Sequence, residues 1–142
     1  MTIVGRYGDT SHAPYVDAHI MIPRFGLRGS VSFLIDTGAD TTVLAEVDAK
    51  RLGVKHSKLK TQATSYGIGG PSDNYLEPAV LFLADGPTLH FYRIEVMIVD
   101  PKPHLRTMPS LLGRDVINRL SLILNHSGNN CHIEIVSSDG TL

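Results

Sequence analysis

The stretch Phe33-Leu34-Ile35-Asp36-Thr37-Gly38-Ala39-Asp40-Thr41 decides how this chain is read. Three apolar residues suited to a buried strand run straight into an acidic turn that carries a glycine, so rigid backbone delivers a carboxylate to the end of a strand. Gly38 permits a tight turn and the close approach of a second backbone, and the Thr37 hydroxyl can hydrogen-bond main chain and hold the loop in one shape. The same tripeptide, Asp36-Thr37-Gly38, also makes a good plain turn after a strand, so its meaning depends on what surrounds it.

Outward from that turn the apolar pattern is of strand type, over residues 15–22, 31–35, 75–83, 89–99, 120–124 and 131–136. The expected fold class is all-β. Turn-forming residues separate the strands at 23–29, 67–72, 85–87 and 127–130, which predicts hairpin connections. Within 89–99 the alternation changes phase near Tyr92 and Arg93, from Leu89 and Phe91 to Ile94, Val96 and Ile98, and this predicts a bulge. Two short helices interrupt the strands. One carries Leu44, Val47 and Leu52 on a single face, with Thr42 as its cap and Gly53 as its terminator; the other, with Val116, Ile117 and Leu120, follows Gly113. Without an internal repeat or a long linker, one domain over 1–142 is expected, its core at about 14–136, with residues 1–12, 101–109 and 137–142 the mobile parts.

Composition excludes several classes of function. The chain has 142 residues, 42% hydrophobic and 19% charged, with 13 basic and 14 acidic side chains and a net charge of -1. These charges read as scattered without runs, so neither nucleic acid nor a membrane is an expected partner. The N-terminal residues lack the apolar run of a signal peptide, and Cys131 stands alone, which fits a reducing compartment; a cytoplasmic location is the expectation. The seven histidines, His12, His19, His56, His90, His104, His126 and His132, show no spacing suited to zinc, so no metal and no cofactor are expected.

Four features together resemble the retropepsin-like aspartic peptidases, the family of retroviral proteases and their bacterial and cellular relatives. The run from Leu34 to Thr41, followed by Val43-Leu44, is similar to the family's catalytic loop and the strand leaving it. Leu111-Leu112-Gly113-Arg114-Asp115 is similar to its two hydrophobic residues, glycine and the Gly-Arg-Asp start of its C-terminal helix. Tyr66-Gly67-Ile68-Gly69-Gly70 resembles the flap that closes over a bound peptide. Finally, the chain carries one Asp-Thr-Gly and is about half the size of the two-lobed pepsin-like enzymes. The resemblance implies a retropepsin-like acid-protease barrel with one catalytic loop per chain.

It further implies an aspartic endopeptidase in which Asp36, Thr37 and Gly38 are catalytic. An identical subunit would supply the second aspartate, and the substrate would be an extended peptide or protein. Ala39, Asp40, Gly67, Ile68, Gly69 and Gly70 would line the peptide. Leu111, Leu112 and Gly113 would cross beside the catalytic loop, with Arg114 paired to Asp40. The strand 131–136 resembles the segment that such enzymes contribute to a sheet shared between subunits. An Asp after an apolar strand also occurs in haloacid-type phosphatases, but that chemistry needs a second acid two residues on, where Gly38 stands, and an α/β fold. The alternative reading is a non-catalytic dimeric module that binds extended peptides on the same fold.

Overall fold

The computed structural model describes residues 2–60, 62–67 and 70–142. Along the chain run strands β1 (Ile3–Val4), β2 (Arg6–Tyr7), β3 (Pro14–Ile22), β4 (Leu27–Ile35) and β5 (Val43–Leu44), then helix α1 (Glu46–Leu52). Strands β6 (Gln62–Gly67), β7 (Gly70–Asp85), β8 (Thr88–Val99) and β9 (Ser110–Leu112) follow, then helix α2 (Arg114–Ile117). Strands β10 (Leu120–Asn125), β11 (Asn130–Ile135) and β12 (Gly140–Thr141) complete the chain.

Strands β8, β5, β9, β4, β3 and β7 are neighbours in that order, and β7 pairs again with β8, closing a six-stranded barrel. The all-β barrel with two short helices expected from the sequence is therefore observed. Alternation sets its interior: Val16, Ala18, Ile20 and Ile22 of β3 and Val31, Phe33 and Ile35 of β4 are buried, while Asp17, His19 and Ser30 face out. A one-residue slip of the β3–β4 pairing, which runs from Tyr15 opposite Leu34 to Ile22 opposite Leu27, would exchange the two sets. At ~1.5–3 kcal/mol per large apolar side chain buried, that exchange is prohibitive, and the register that places Asp36 just past the end of β4 is fixed.

Several sequence-based expectations need correction. The 23–29 bend is shorter than expected, because Pro23–Phe25 makes one 3-10 turn, Gly26 takes φ 64, and β4 begins at Leu27. Strand β8 has no bulge: its register with β7 is unbroken from Thr88 opposite Asp85 to Val99 opposite Asn74. Tyr92, Val96 and Ile98 are buried on one face throughout, whereas Leu89 and Phe91 belong to the other face, and β12 pairs along the edge of the strand there. The apparent change of phase is a strand apolar on both sides.

Helix α1 starts later than expected and Thr42 does not cap it; Ala45 occupies the N-cap without a side-chain bond, while Gly53 does close the helix at φ 97. Its buried residues are Glu46 and Ala49, and Val47 is 58% exposed. Both chain ends, expected to be loose, are tied down. β1 pairs with β11 and β2 with β3; β12 pairs with β8, and Asp139 accepts the Arg93 N–H at 2.6 Å and a bond from Arg119 at 2.8 Å.

The second sheet has the order β1-β11-β10. Strand β11, expected to belong to a sheet shared between subunits, is the middle strand here: β10 pairs along its whole length, and β1 pairs with its other edge at His132 and Ile133. Among the described residues the long free edge belongs to β10, where Ile123 and Leu124 are exposed.

Candidate active site

Strand β4 ends with Ile35 in the core, and the next residue, Asp36, turns out of it half-buried. The Asp36 N–H donates to the Leu112 carbonyl at 3.1 Å, extending the parallel β4–β9 ladder by one bond and anchoring the residue to the barrel. Its carbonyl accepts the Ala39 N–H at 3.1 Å, which closes the turn. Its side-chain Oδ1 accepts the Gly38 N–H at 2.9 Å. A carboxylate that receives a backbone N–H has a set orientation before any ligand arrives, and Gly38 matters because a Cβ there would sit 3.2 Å from the same oxygen. Thr37 and Gly38 are exposed at the tip of the turn.

The segment after β9 grips this turn from the other side. The Arg114 N–H donates to the Ala39 carbonyl at 2.8 Å. One guanidinium nitrogen donates to the Thr37 carbonyl at 2.7 Å and the other to the Asp40 carboxylate. Gly113 runs so close beneath that a Cβ would lie 2.4 Å from the Thr41 carbonyl carbon and 2.7 Å from the Thr42 nitrogen. Leu112 is wholly buried and Leu111 half-buried. Asp36 to Asp40 and Leu111 to Arg114, more than seventy positions apart, thus form one cluster.

Two further residues belong to the cluster, and sequence reasoning missed their part in it. Thr42, expected to cap α1, is buried, and its hydroxyl donates to Asp115 Oδ1 at 2.7 Å while accepting the Gly113 N–H at 3.1 Å. Asp115 Oδ2 accepts the Thr42 N–H at 3.0 Å. The signal was an Asp directly after Arg114, which also reads as a solvated helix start. Behind them, Ser110 donates to Asp48 at 2.7 Å and accepts the Ala45 N–H at 2.9 Å, locking α1 to β9.

Of the residues expected to contact a peptide, Ala39 and Asp40 lie in this cluster. Gly67 and Gly70 pair with each other at the end of the β6–β7 ribbon, and Ile68 and Gly69 fall outside the described residues. Pro71 and Ser72, expected within the 67–72 turn, already belong to β7. Pro71 is tolerated because only β6 lies beside it there; pairing with β8 begins at Asn74. Among the described residues no three His, Cys, Asp or Glu side chains gather as metal ligands. The lone Cys131 is buried, and burial pushes its thiol pKa up.

Residues 25–116 match the family described as Aspartyl protease, a span that holds both the Asp36 turn and the segment gripping it. The chain belongs to the aspartyl protease family. Among solved structures it is similar to a retropepsin-like aspartic protease from Rickettsia conorii, with a TM-score of 0.62 and 20% identity over 95% of this chain and 91% of that one. It is also similar to EIAV protease complexed with the inhibitor HBY-793, with a TM-score of 0.53 and 20% identity over 78% and 90%. At such identities these two likenesses speak for the retropepsin-like fold. Comparison with curated proteins gives no match. No helix among the described residues of this aspartyl protease is long and apolar enough to cross a membrane.

Proposed function

We propose that the chain is an aspartic endopeptidase whose active site is completed by a second copy of itself. The observation that carries this reading is the single Asp36 carboxylate, oriented by the Gly38 N–H at the exposed tip of a turn that Arg114 and Gly113 brace from behind. One such carboxylate per chain is half of what the chemistry needs. Two carboxylates a few ångströms apart cannot both ionise cheaply, so an Asp36 pair would share one proton over a wide pH range. The ionised member takes a proton from water as it attacks the peptide carbonyl. The protonated member donates to the developing oxyanion. Both titrate as one unit.

Thr37 and Gly38, exposed in the single chain, are the residues that a second copy would cover. The unpaired edge of β10, with Ile123 and Leu124 exposed, supplies a strand to which the same strand of a partner can add about a two-fold axis. An extended peptide would lie over the paired turns, with Ala39 and Asp40 beside it and the ribbon ending in Gly67 and Gly70 closing from above. The whole chain acts as one unit in this reading.

A peptide-library cleavage assay tests it. Specific activity per chain should fall on dilution through the dimer dissociation constant, and excess Asp36→Asn chains should suppress parent activity once subunits exchange. Cleavage that persists in Asp36→Asn, or activity that stays flat on dilution well below the dissociation constant, refutes the shared site. Peptide binding without turnover in the parent supports a binding module instead.

A further inference from the structure

The cations are not spread evenly once the chain is folded. All five lysines, Lys50, Lys55, Lys58, Lys60 and Lys102, fall within residues 46–60 and 100–106, together with Arg51 and Arg106. These two segments hold seven basic against three acidic side chains, a local charge of +4 in a chain of -1.

Tertiary contacts bring the two segments together. The His56 ring meets the Val99 carbonyl at 3.1 Å, which sets residues 55–60 beside the point where residues 100–106 leave β8. Arg24, itself paired with Glu77 of β7, donates to the Lys58 carbonyl at 2.8 Å and holds that segment along the sheet. Lys50 holds the Glu46 carboxyl below the usual range through a direct bond, and Arg106 and His56 add to the effect from farther away. Arg106 and the 55–60 segment therefore flank the same carboxylate.

Two of the three acids are already engaged, Glu46 by Lys50 and Asp48 by Arg51 and Ser110. Lys55, Lys58, Lys60, Lys102 and Arg106 make no ion pair among the described residues, and all but the half-buried Lys102 are exposed. Away from this surface most arginines are spent: Arg6, Arg24, Arg114 and Arg119 each pair with a carboxylate.

We propose that this lysine-rich surface is a docking site for an acidic polypeptide segment, which holds a substrate outside the catalytic cleft. The inference rests on the endopeptidase reading above. Unpaired cations held on one face attract an extended chain of carboxylates, raising its local concentration and rate of encounter. The position suits this role, since residues 55–60 lead into β6 of the closing ribbon and residues 100–106 lead into β9 beside Asp36. A polypeptide fits better than a nucleic acid because neither segment contains a Phe, Tyr or Trp on which bases stack. The expectation of evenly scattered charge is corrected accordingly.

The test measures binding directly, so it does not depend on catalysis. Fluorescence anisotropy of a labelled ten-residue glutamate peptide is followed with the parent, with Lys55→Glu/Lys58→Glu/Lys60→Glu/Lys102→Glu, and with the control Arg28→Glu/Arg93→Glu. Exposed charge pairs contribute roughly twofold each, so reversing four lysines should weaken binding by about tenfold or more, with the control near parental. Binding should also fall as salt rises. Equal weakening in both variants overturns the proposal. So does tighter binding of a ten-nucleotide oligo-dT, or of anionic phospholipid vesicles, than of the glutamate peptide. In cleavage assays the lysine reversal should raise KM for a peptide with an acidic extension and leave a neutral short peptide unchanged; a similar rise for both overturns it. If the parent cleaves neither peptide, the endopeptidase reading fails while the anisotropy still decides the docking site.

Discussion

Gly113→Ala tests the bracing of the Asp36 turn most directly. Gly113 has φ -98, which any residue adopts, so the substitution brings no backbone strain of its own. The added Cβ would lie 2.4 Å from the Thr41 carbonyl carbon, 2.6 Å from its oxygen and 2.7 Å from the Thr42 nitrogen, all backbone atoms. Ordinary contact begins at 3.4 Å, so one of the two segments must move by about 1 Å. Overpacking of this kind costs ~1–3 kcal/mol. The movement also strains the bond from the Gly113 N–H to Thr42, worth about 1 kcal/mol more. The expected loss is roughly 3 kcal/mol, or about 10 °C in Tm for a chain of this size. Because the same movement shifts the turn bearing Asp36, kcat/KM should fall about a hundredfold or more.

Thermal melts and peptide cleavage are compared with Gly26→Ala, whose cause is the reverse: Gly26 has φ 64 and nothing within 4 Å of a built Cβ. That change should cost only ~1 kcal/mol, with activity nearly unaltered. If Gly113→Ala is no worse than Gly26→Ala in both assays, the close crossing beneath the Asp36 turn is not what holds it.

Asp115→Ala removes the acceptor for both the Thr42 N–H and its buried hydroxyl, so chemical denaturation should show a loss of about 2–3 kcal/mol; a neutral result would undo the clamp. Asp40→Asn should be milder, under about 1 kcal/mol, because the Asp40 side chain is 87% exposed and Arg114 keeps its bond to the Thr37 carbonyl; a large drop in Tm would contradict this. The Arg93 N–H, and then Arg119, hold Asp139 below the usual carboxylate range. A depressed folded pKa means that its contribution to stability is present above the ordinary Asp value of ~3.9 and is lost as pH falls through the lowered one. Protection of the Leu89 and Leu142 amides, which bond reciprocally between β8 and the chain end, should therefore fall in acid when measured against the intrinsic exchange rate at the same pH; in Asp139→Asn it should be low already at neutral pH, and unaltered protection there would refute the clip.

The shape of the Asp36 turn was legible in the sequence because its determinants are local. An apolar run, an acid, a hydroxyl and a glycine in consecutive positions specify strand, turn and carboxylate without help from elsewhere, whereas Leu111-Leu112-Gly113-Arg114 was legible only through its resemblance to a family segment. The barrel followed from alternation and turn residues, since period-two burial dictates which face each strand turns inward. Tertiary structure alone decided what depends on partners distant in the chain. Thr42 reads as a helix cap until the fold sets it against Asp115, and β8 reads as bulged until its unbroken pairing with β7 turns Leu89 and Phe91 to the face opposite Tyr92. Nothing in the sequence around strand β11 announces that β1, from the opposite end of the chain, pairs with it at His132 and Ile133. The lysines read as scattered until a histidine and a carbonyl, His56 and Val99, draw two segments more than forty residues apart onto one surface. A hydrogen bond or a field acts over a few ångströms whatever the separation along the chain, and only the folded chain sets those distances.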